Sequence, residues 1–381
     1  MLQRPQALCA ISDIKFPKRV DGGRIAQVGA MRQARAMTQL DRRLFLAASA
    51  AALASPAWAG PALARSAPPA WTARAELPWP VQEIYCAVRG DEIVVAGGLM
   101  ARPGTDLHIE DRTGIYRPSE DRWVEGPRLP QPRHHPMLIA DGDSVYALGG
   151  YGRTEAGDWT AMTEIWALKG EAWEPAGTMP ARQSETVGVG LNGRLHLITG
   201  RAPKGEANGQ WNDQGDIADH RVFLPAEGRW ETASPCPMAR NSAAGAVLDG
   251  AIWVAGGRTV SGGGTGRLDR YDPQADRWDT LAPIPRSEAA NNQVGGGLAM
   301  AAAGGRLVAF GGEWFQRPGG GVFAETWIYD PATDAWTQGP DMTTPRHGLA
   351  AAAVGGAVYA IAGGSVVSGG RATGIVERLT L

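Results

Sequence analysis

The chain has 381 residues, 44% of them apolar and 20% charged, enough to bury a sizeable core and too few charges for a disordered chain. Nine basic and three acidic residues fall in 1–59, leaving 28 basic against 36 acidic residues, about −8, in the remainder. That balance argues against a general binder of nucleic acid or anionic membrane. Its 52 glycines show no three-residue period, which excludes collagen and assigns them to turns and close-packed strands. Apart from the adjacent His134-His135, the six histidines and three cysteines (Cys9, Cys86, Cys236) are scattered singly, without the spacing of a zinc, haem or iron–sulfur site. No metal and no cofactor are expected.

Residues 1–36 carry no pattern that would pack, and are expected to be a spurious or disordered extension. From Met37 the chain has the parts of an export signal: Asp41-Arg42-Arg43-Leu44-Phe45-Leu46, an Ala/Leu/Ser stretch, and Ala57-Trp58-Ala59 as a cleavage pattern. The arginine pair resembles a twin-arginine signal, which implies a periplasmic destination for residues 60–381. The apolar run is short and broken by Pro56, so no stable membrane span is expected after cleavage. A disulfide between Cys86 and Cys236 is possible but not indicated by spacing.

From residue 60 onward the chain repeats. Glycine pairs occur at 97–98, 149–150, 256–257, 311–312 and 363–364, with Thr199-Gly200 in the third slot, at intervals of 52, 50, 57, 55 and 52 residues. Each closes a β-favouring run such as Ile93-Val94-Val95-Ala96 or Ile252-Trp253-Val254-Ala255. A bulky residue and, seven later, a tryptophan follow: Tyr116/Trp123, Trp166/Trp173, Phe223/Trp230, Tyr271/Trp278 and Tyr329/Trp336, with turn chemistry such as Asp272-Pro273 between them. The next slot arrives 26 residues after the tryptophan in three units, 27 in another, and 33 after Trp278. A third landmark places Arg133, Arg182, Arg240, Arg286 and Arg346 after an apolar or Pro-containing segment.

These units resemble the Kelch repeat, a hydrophobic run ending in Gly-Gly, then Tyr, then Trp. The resemblance implies an all-β fold, a six-bladed β-propeller. The last unit lacks its fourth strand, whereas Trp71 lies 26 residues before Gly97, so an N-terminal strand near Trp71 is expected to complete the sixth blade. The glycines and repeat tryptophans read as scaffold, with no Gly run followed by Lys-Ser/Thr.

Propeller topology puts the loops after the glycine pairs and the loops carrying the five arginines on one face. In eukaryotic Kelch adaptors, arginines at this point bind acidic peptides, which by resemblance makes Arg133, Arg182, Arg240, Arg286 and Arg346 candidate ligand-binding residues. Each could instead tie adjacent blades together. Trp159, Trp211 and Trp314 stand among carboxylates and amides in the long loops, as a carbohydrate site would require, or anchor those loops. The expected partner is a small anionic or carbohydrate ligand, or an acidic peptide, bound by a monomer. The chain also resembles the periplasmic N-acetylneuraminate epimerases, which implies a cofactor-free epimerase or mutarotase as the alternative. Its acid and base would come from Glu185, Glu288, His134 or His347. Galactose-oxidase-like proteins share the blades, but the Tyr, His and Cys set of their copper site is not recognisable here.

Overall fold

The computed structural model describes residues 68–101, 107–316 and 319–381. The extension 1–36 and the leader 37–59 lie outside them. Among the described residues, six four-stranded antiparallel sheets form a six-bladed propeller, five of them simple meanders in chain order. The first blade is Cys86–Arg89, Glu92–Ala96, Thr113–Arg117 and Arg122–Gly126, innermost strand first. The inner strands of blades two to six are Met137–Asp141, Val187–Leu191, Ala244–Leu248, Leu298–Ala303 and Ala350–Val354. Each touches the next, and the last touches the first.

The sixth blade closes as the spacing predicts. Trp71–Arg74 pairs antiparallel with Ala372–Thr380, Trp71 opposite Leu379, as the outer strand of a sheet begun by Ala350–Val354 and Ala357–Gly364. Small residues let the inner strands approach: a Cβ on Gly188 would fall 2.1 Å from Met137 Cγ, and one on Gly245 2.2 Å from Val187 Cγ1.

The repeat tryptophans join blades as well as fill them. The indole N–H of Trp123 donates to Ala75 O (2.9 Å), Trp173 to Pro127 O (3.0 Å), Trp230 to Thr178 O (3.0 Å), Trp278 to Ser234 O (2.8 Å), Trp336 to Ala282 O (2.8 Å) and Trp71 to Pro340 O (3.2 Å). Every acceptor belongs to the preceding blade. In three blades the repeat tyrosine holds the turn aspartate, Tyr116 with Asp121, Tyr271 with Asp276 and Tyr329 with Asp334. That carboxylate in turn accepts from the preceding blade at Ala75, Ser234 and Ala282 N–H.

Two details correct the sequence reading. In blade two Trp173 lies opposite Leu168, and Trp166 opposite Pro175, because Gly170-Glu171 is a two-residue turn. In blade six the left-handed pair is Ala362-Gly363 (φ 54° and 98°), equivalent to Thr199-Gly200 (57° and 111°). Gly364 belongs to the following strand position, opposite Ala372, which places Ala362 26 residues after Trp336 like the regular units. Cys86 and Cys236 are both free thiols.

Blade three carries histidines inside its sheet. His196 Nδ1 and His220 Nε2 are 2.8 Å apart, and His220 packs on Tyr271 of blade four at 4.6 Å. Burial pushes His220 down to about 4, and burial with the neighbouring His220 pushes His196 to about 3. Both folded values lie below the unfolded one, so below about pH 6.5 the unfolded chain takes up protons that the folded chain refuses. Stability should fall between pH 6.5 and 4 by up to about 1.4 kcal/mol per pH unit per imidazole. Urea unfolding at pH 7 and pH 5 checks this, and His196→Gln/His220→Gln should reduce the drop by half or more.

Trp71 packs edge-on against Phe310 at 5.0 Å and also donates to Thr326 Oγ1 at 3.0 Å. Trp71→Ala should cost about 3–5 kcal/mol in urea unfolding, with the transition still cooperative for the ring as a whole.

Candidate functional site

On the face bearing the loops between second and third strands, two circles of residues surround the axis. The first sits just before each inner strand and has left-handed backbone throughout: Glu83, His135, Glu185, Ser242, Gly297 and Gly348, with φ between 48° and 72°. Backbone hydrogen bonds link them: Glu83 N–H to Gly348 O (2.7 Å), His135 to Glu83 (2.8 Å), Ser242 to Glu185 (2.9 Å), Gly297 to Ser242 (3.0 Å) and Gly348 to Gly297 (2.9 Å). The second circle follows each left-handed pair and includes Tyr151, Arg201, Arg258 and Glu313. Short hairpins of three-residue strands position Tyr151 and Arg201: Tyr151–Arg153 pairs with Trp159–Ala161, and Arg201–Pro203 with Gln214–Asp216.

Side chains of the two circles form one charged cluster. Glu185 binds Arg201, accepts from Ser242 Oγ at 2.6 Å, and lies 4.0 Å from Arg258. Arg258 pairs with Glu313 at 2.5 Å, whose other oxygen accepts from Ser368 N–H at 2.8 Å. His347 Nδ1 stands 3.6 Å from both Glu313 and Glu83, and Glu83 pairs with His135 Nε2 at 2.8 Å. Burial pushes the Glu83 carboxyl up, but the charges of His135, His347 and Arg258 and the His135 hydrogen bond reverse this and hold it well below the usual range. Burial, then the adjacent His135, drives His134 well below an ordinary imidazole, so it is neutral at pH 7. Burial also lowers Arg201.

Two exposed aromatics rim this cluster. Trp211, 41% exposed, lies over the Arg201 guanidinium at 4.1 Å and is 5.5 Å from that of Arg258; Phe315, 50% exposed, is 5.6 Å from Arg258. A short 3-10 turn, Trp211–Asp213, presents the indole, and its N–H is fixed to Val260 O at 3.1 Å.

Among the expected acid/base candidates, Glu185, His134 and His347 are buried in or beside this cluster, whereas Glu288 is exposed outside it. The arginines divide. Arg133, Arg240 and Arg346 are fully buried within their blades. Arg133 bonds Gly149 O and Glu164, Arg240 bonds Val254 O and Asp269, and Arg346 bonds Ala362 O and Glu377. These guanidiniums hold the ends of second strands to the third strands, so their surroundings support the scaffold role and not the ligand-binding one. Arg182 and Arg286 are exposed and donate to the backbone at Ala161 and Asn291. Gln183 occupies the slot expected for Arg182, bonding Thr199 O at 2.6 Å. Trp211 is at the mouth, Trp159 is half-buried edge-on to His134 at 4.8 Å, and Trp314 packs on Phe323 at 4.7 Å as a loop anchor.

Glu83, His135, Arg201, Arg258 and Glu313 do not stand out as site residues in the sequence. Their signal is positional: Arg201, Arg258 and Glu313 each directly follow a slot pair, and Glu83 and His135 share the register of Glu185.

The Kelch motif family matches residues 239–285 and 295–343, within blades four and five. The repeats are Kelch repeats. Human Kelch-like protein 34 is 28% identical over 214 residues, 54% of this chain and 32% of that protein. Kelch-like protein terF of Aspergillus terreus is 24% identical over 303 residues, 78% of this chain and 64% of that protein. This Kelch propeller thus spans from about a third to just under two thirds of these relatives. The solved structure of YjhT superposes with a TM-score of 0.67 at 15% identity, over 80% of this chain and 96% of its own, a likeness of fold.

In a Kelch propeller so built, Arg240→Met leaves Asp269 buried beside a single remaining cation, Arg267. Unfolding should show a loss of about 3–5 kcal/mol, and an exposed counterpart, Arg182→Met, should change stability by less than about 0.5 kcal/mol.

Proposed function

We propose that this Kelch propeller is an exported binding protein that takes a small anionic or carbohydrate ligand at its axial mouth. The observation that carries the reading is Arg201. Its side chain is 7% exposed, its Nε and Nη1 have no hydrogen-bond partner, and an exposed indole covers it. An arginine with free donors beneath an aromatic rim suits a carboxylate attached to a ring with an apolar face. Unpaired Arg258 Nε and His134 Nε2, with the Tyr151 hydroxyl beside Arg201, add further polar groups. An acidic peptide is the weaker fit, because three of the five arginines expected to receive it are fixed inside blades.

A second reading follows from the same cluster. Glu83 with His135, and His347 between Glu83 and Glu313, provide paired acids and bases beside the arginines. That is the equipment for exchanging the anomers of an acidic sugar without a cofactor.

The test uses protein recovered from a periplasmic extract, with a mature N-terminus expected near residue 60. Thermal melting with glucuronate, galacturonate, N-acetylneuraminate and an acidic peptide should show a rise with at least one sugar acid. At a hundredfold excess over Kd the stabilisation is about 2.7 kcal/mol. The rise should vanish in Arg201→Met/Arg258→Met. A ligand shift that survives in this variant sinks the axial reading, and NMR anomer-exchange rates with any ligand found separate binding from catalysis.

A further inference from the structure

The two axial circles are interrupted at one and the same seam. Around the first circle each N–H bonds the carbonyl of the preceding blade, yet among the described residues no such bond joins Glu185 N–H to His135 O. Through the side chains of the cluster, polar contacts run from His135 through Glu83, His347, Glu313 and Arg258 to Glu185 and Arg201, and no ion pair returns to blade two among the described residues. Between the two ends stands Tyr151, its ring 5.7 Å from the Arg201 guanidinium carbon and stacked on His134 at 5.1 Å.

Three buried nitrogens without a partner lie at this seam, Nε and Nη1 of Arg201 and Nε2 of His134, beside the Tyr151 hydroxyl, which reaches Ser184 and Arg201. All three residues are more than nine-tenths buried. Leaving such groups unmet is costly, and a ligand that meets them recovers that cost. A group completing the backbone circle must accept from Glu185 N–H and donate to the His135 carbonyl. A hydroxyl does both, whereas an ionised carboxylate or a fully ionised phosphate has no hydrogen to give. A carboxylate on the adjoining carbon is what the free Arg201 donors and the Tyr151 hydroxyl would take.

We infer that the seam between blades two and three is a subsite for an α-hydroxy acid unit, its hydroxyl bridging Glu185 N–H and His135 O and its carboxylate on Arg201. This rests on the axial anion site proposed above and narrows it. Hydroxylated acids are selected over phosphate esters and over the plain carboxylates of acidic peptides.

The matched probes are lactate and propionate, which differ by the one hydroxyl, with methyl phosphate, whose dianion carries no O–H, as a third. Each is titrated into the 15N-labelled full-length protein. Lactate should move the Glu185 and His135 amide resonances and bind about tenfold more tightly than propionate, the worth of one or two hydrogen bonds. Tyr151→Phe, which keeps the packed ring, should weaken lactate severalfold with an unchanged melting temperature, and Arg201→Met should weaken both acids. Equal affinities for lactate and propionate at these amides overturn the hydroxy-acid subsite and leave the anion site standing. Shifts confined to the Arg258 and Glu313 amides overturn the location. No shift at any axial amide with any of the three probes overturns the subsite and the anion site together.

Discussion

The hydrogen bond from each blade's outer-strand indole to a carbonyl of the preceding blade is the interaction on which the ring depends. Hydrophobic packing alone would let neighbouring sheets slide over one another, because it has no direction. A donor with one acceptor at about 3 Å fixes the angle between blades, and here the same bond recurs at all six interfaces. Once the angle is fixed six times the inner strands converge, and the small residues at the axis become a requirement of closure.

Convergence also builds the site. Residues before each inner strand and after each left-handed pair are brought to the axis whatever their chemistry, so the scaffold delivers two circles of side chains that no local motif announces. In blades five and six the first circle is glycine; in blades one to four it is Glu, His, Glu and Ser. Charge has therefore been placed unevenly around a nearly symmetric frame, and the uneven part includes Arg201 and Arg258, whose buried guanidinium nitrogens are not all partnered. Buried guanidinium and carboxylate groups in such a cluster are poor contributors to stability.

The repeat and its closure are legible because they depend on glycine, tryptophan and hydrophobic runs, whose roles are nearly independent of context. Trp71 can be assigned to the far end of the chain by counting alone. The arginines cannot be sorted in that way. Arg133 and Arg182 look alike in sequence, but the buried slot takes Arg133 in one blade and Gln183 in the next, a one-residue difference that reverses which side chain faces inward. Arg201 and Arg258 read as ordinary loop residues, although their place directly after a slot pair is as regular as that of the tryptophans. Counting by glycine misplaces the Ala362-Gly363 pair by one, because glycine marks left-handed backbone well but alanine can adopt it too.

The pairing of Trp71–Arg74 with Ala372–Thr380 also has a bearing on the timing of folding. During synthesis the first five blades can form in order as their meanders emerge, but the strand around Trp71 has no partner until residue 380 is made. Through most of translation the strand that carries Trp71 stays unpaired at one end of a growing arc. The domain becomes mechanically continuous in a single last step, and a chain shortened by a few residues at its end would lose that step along with one sheet.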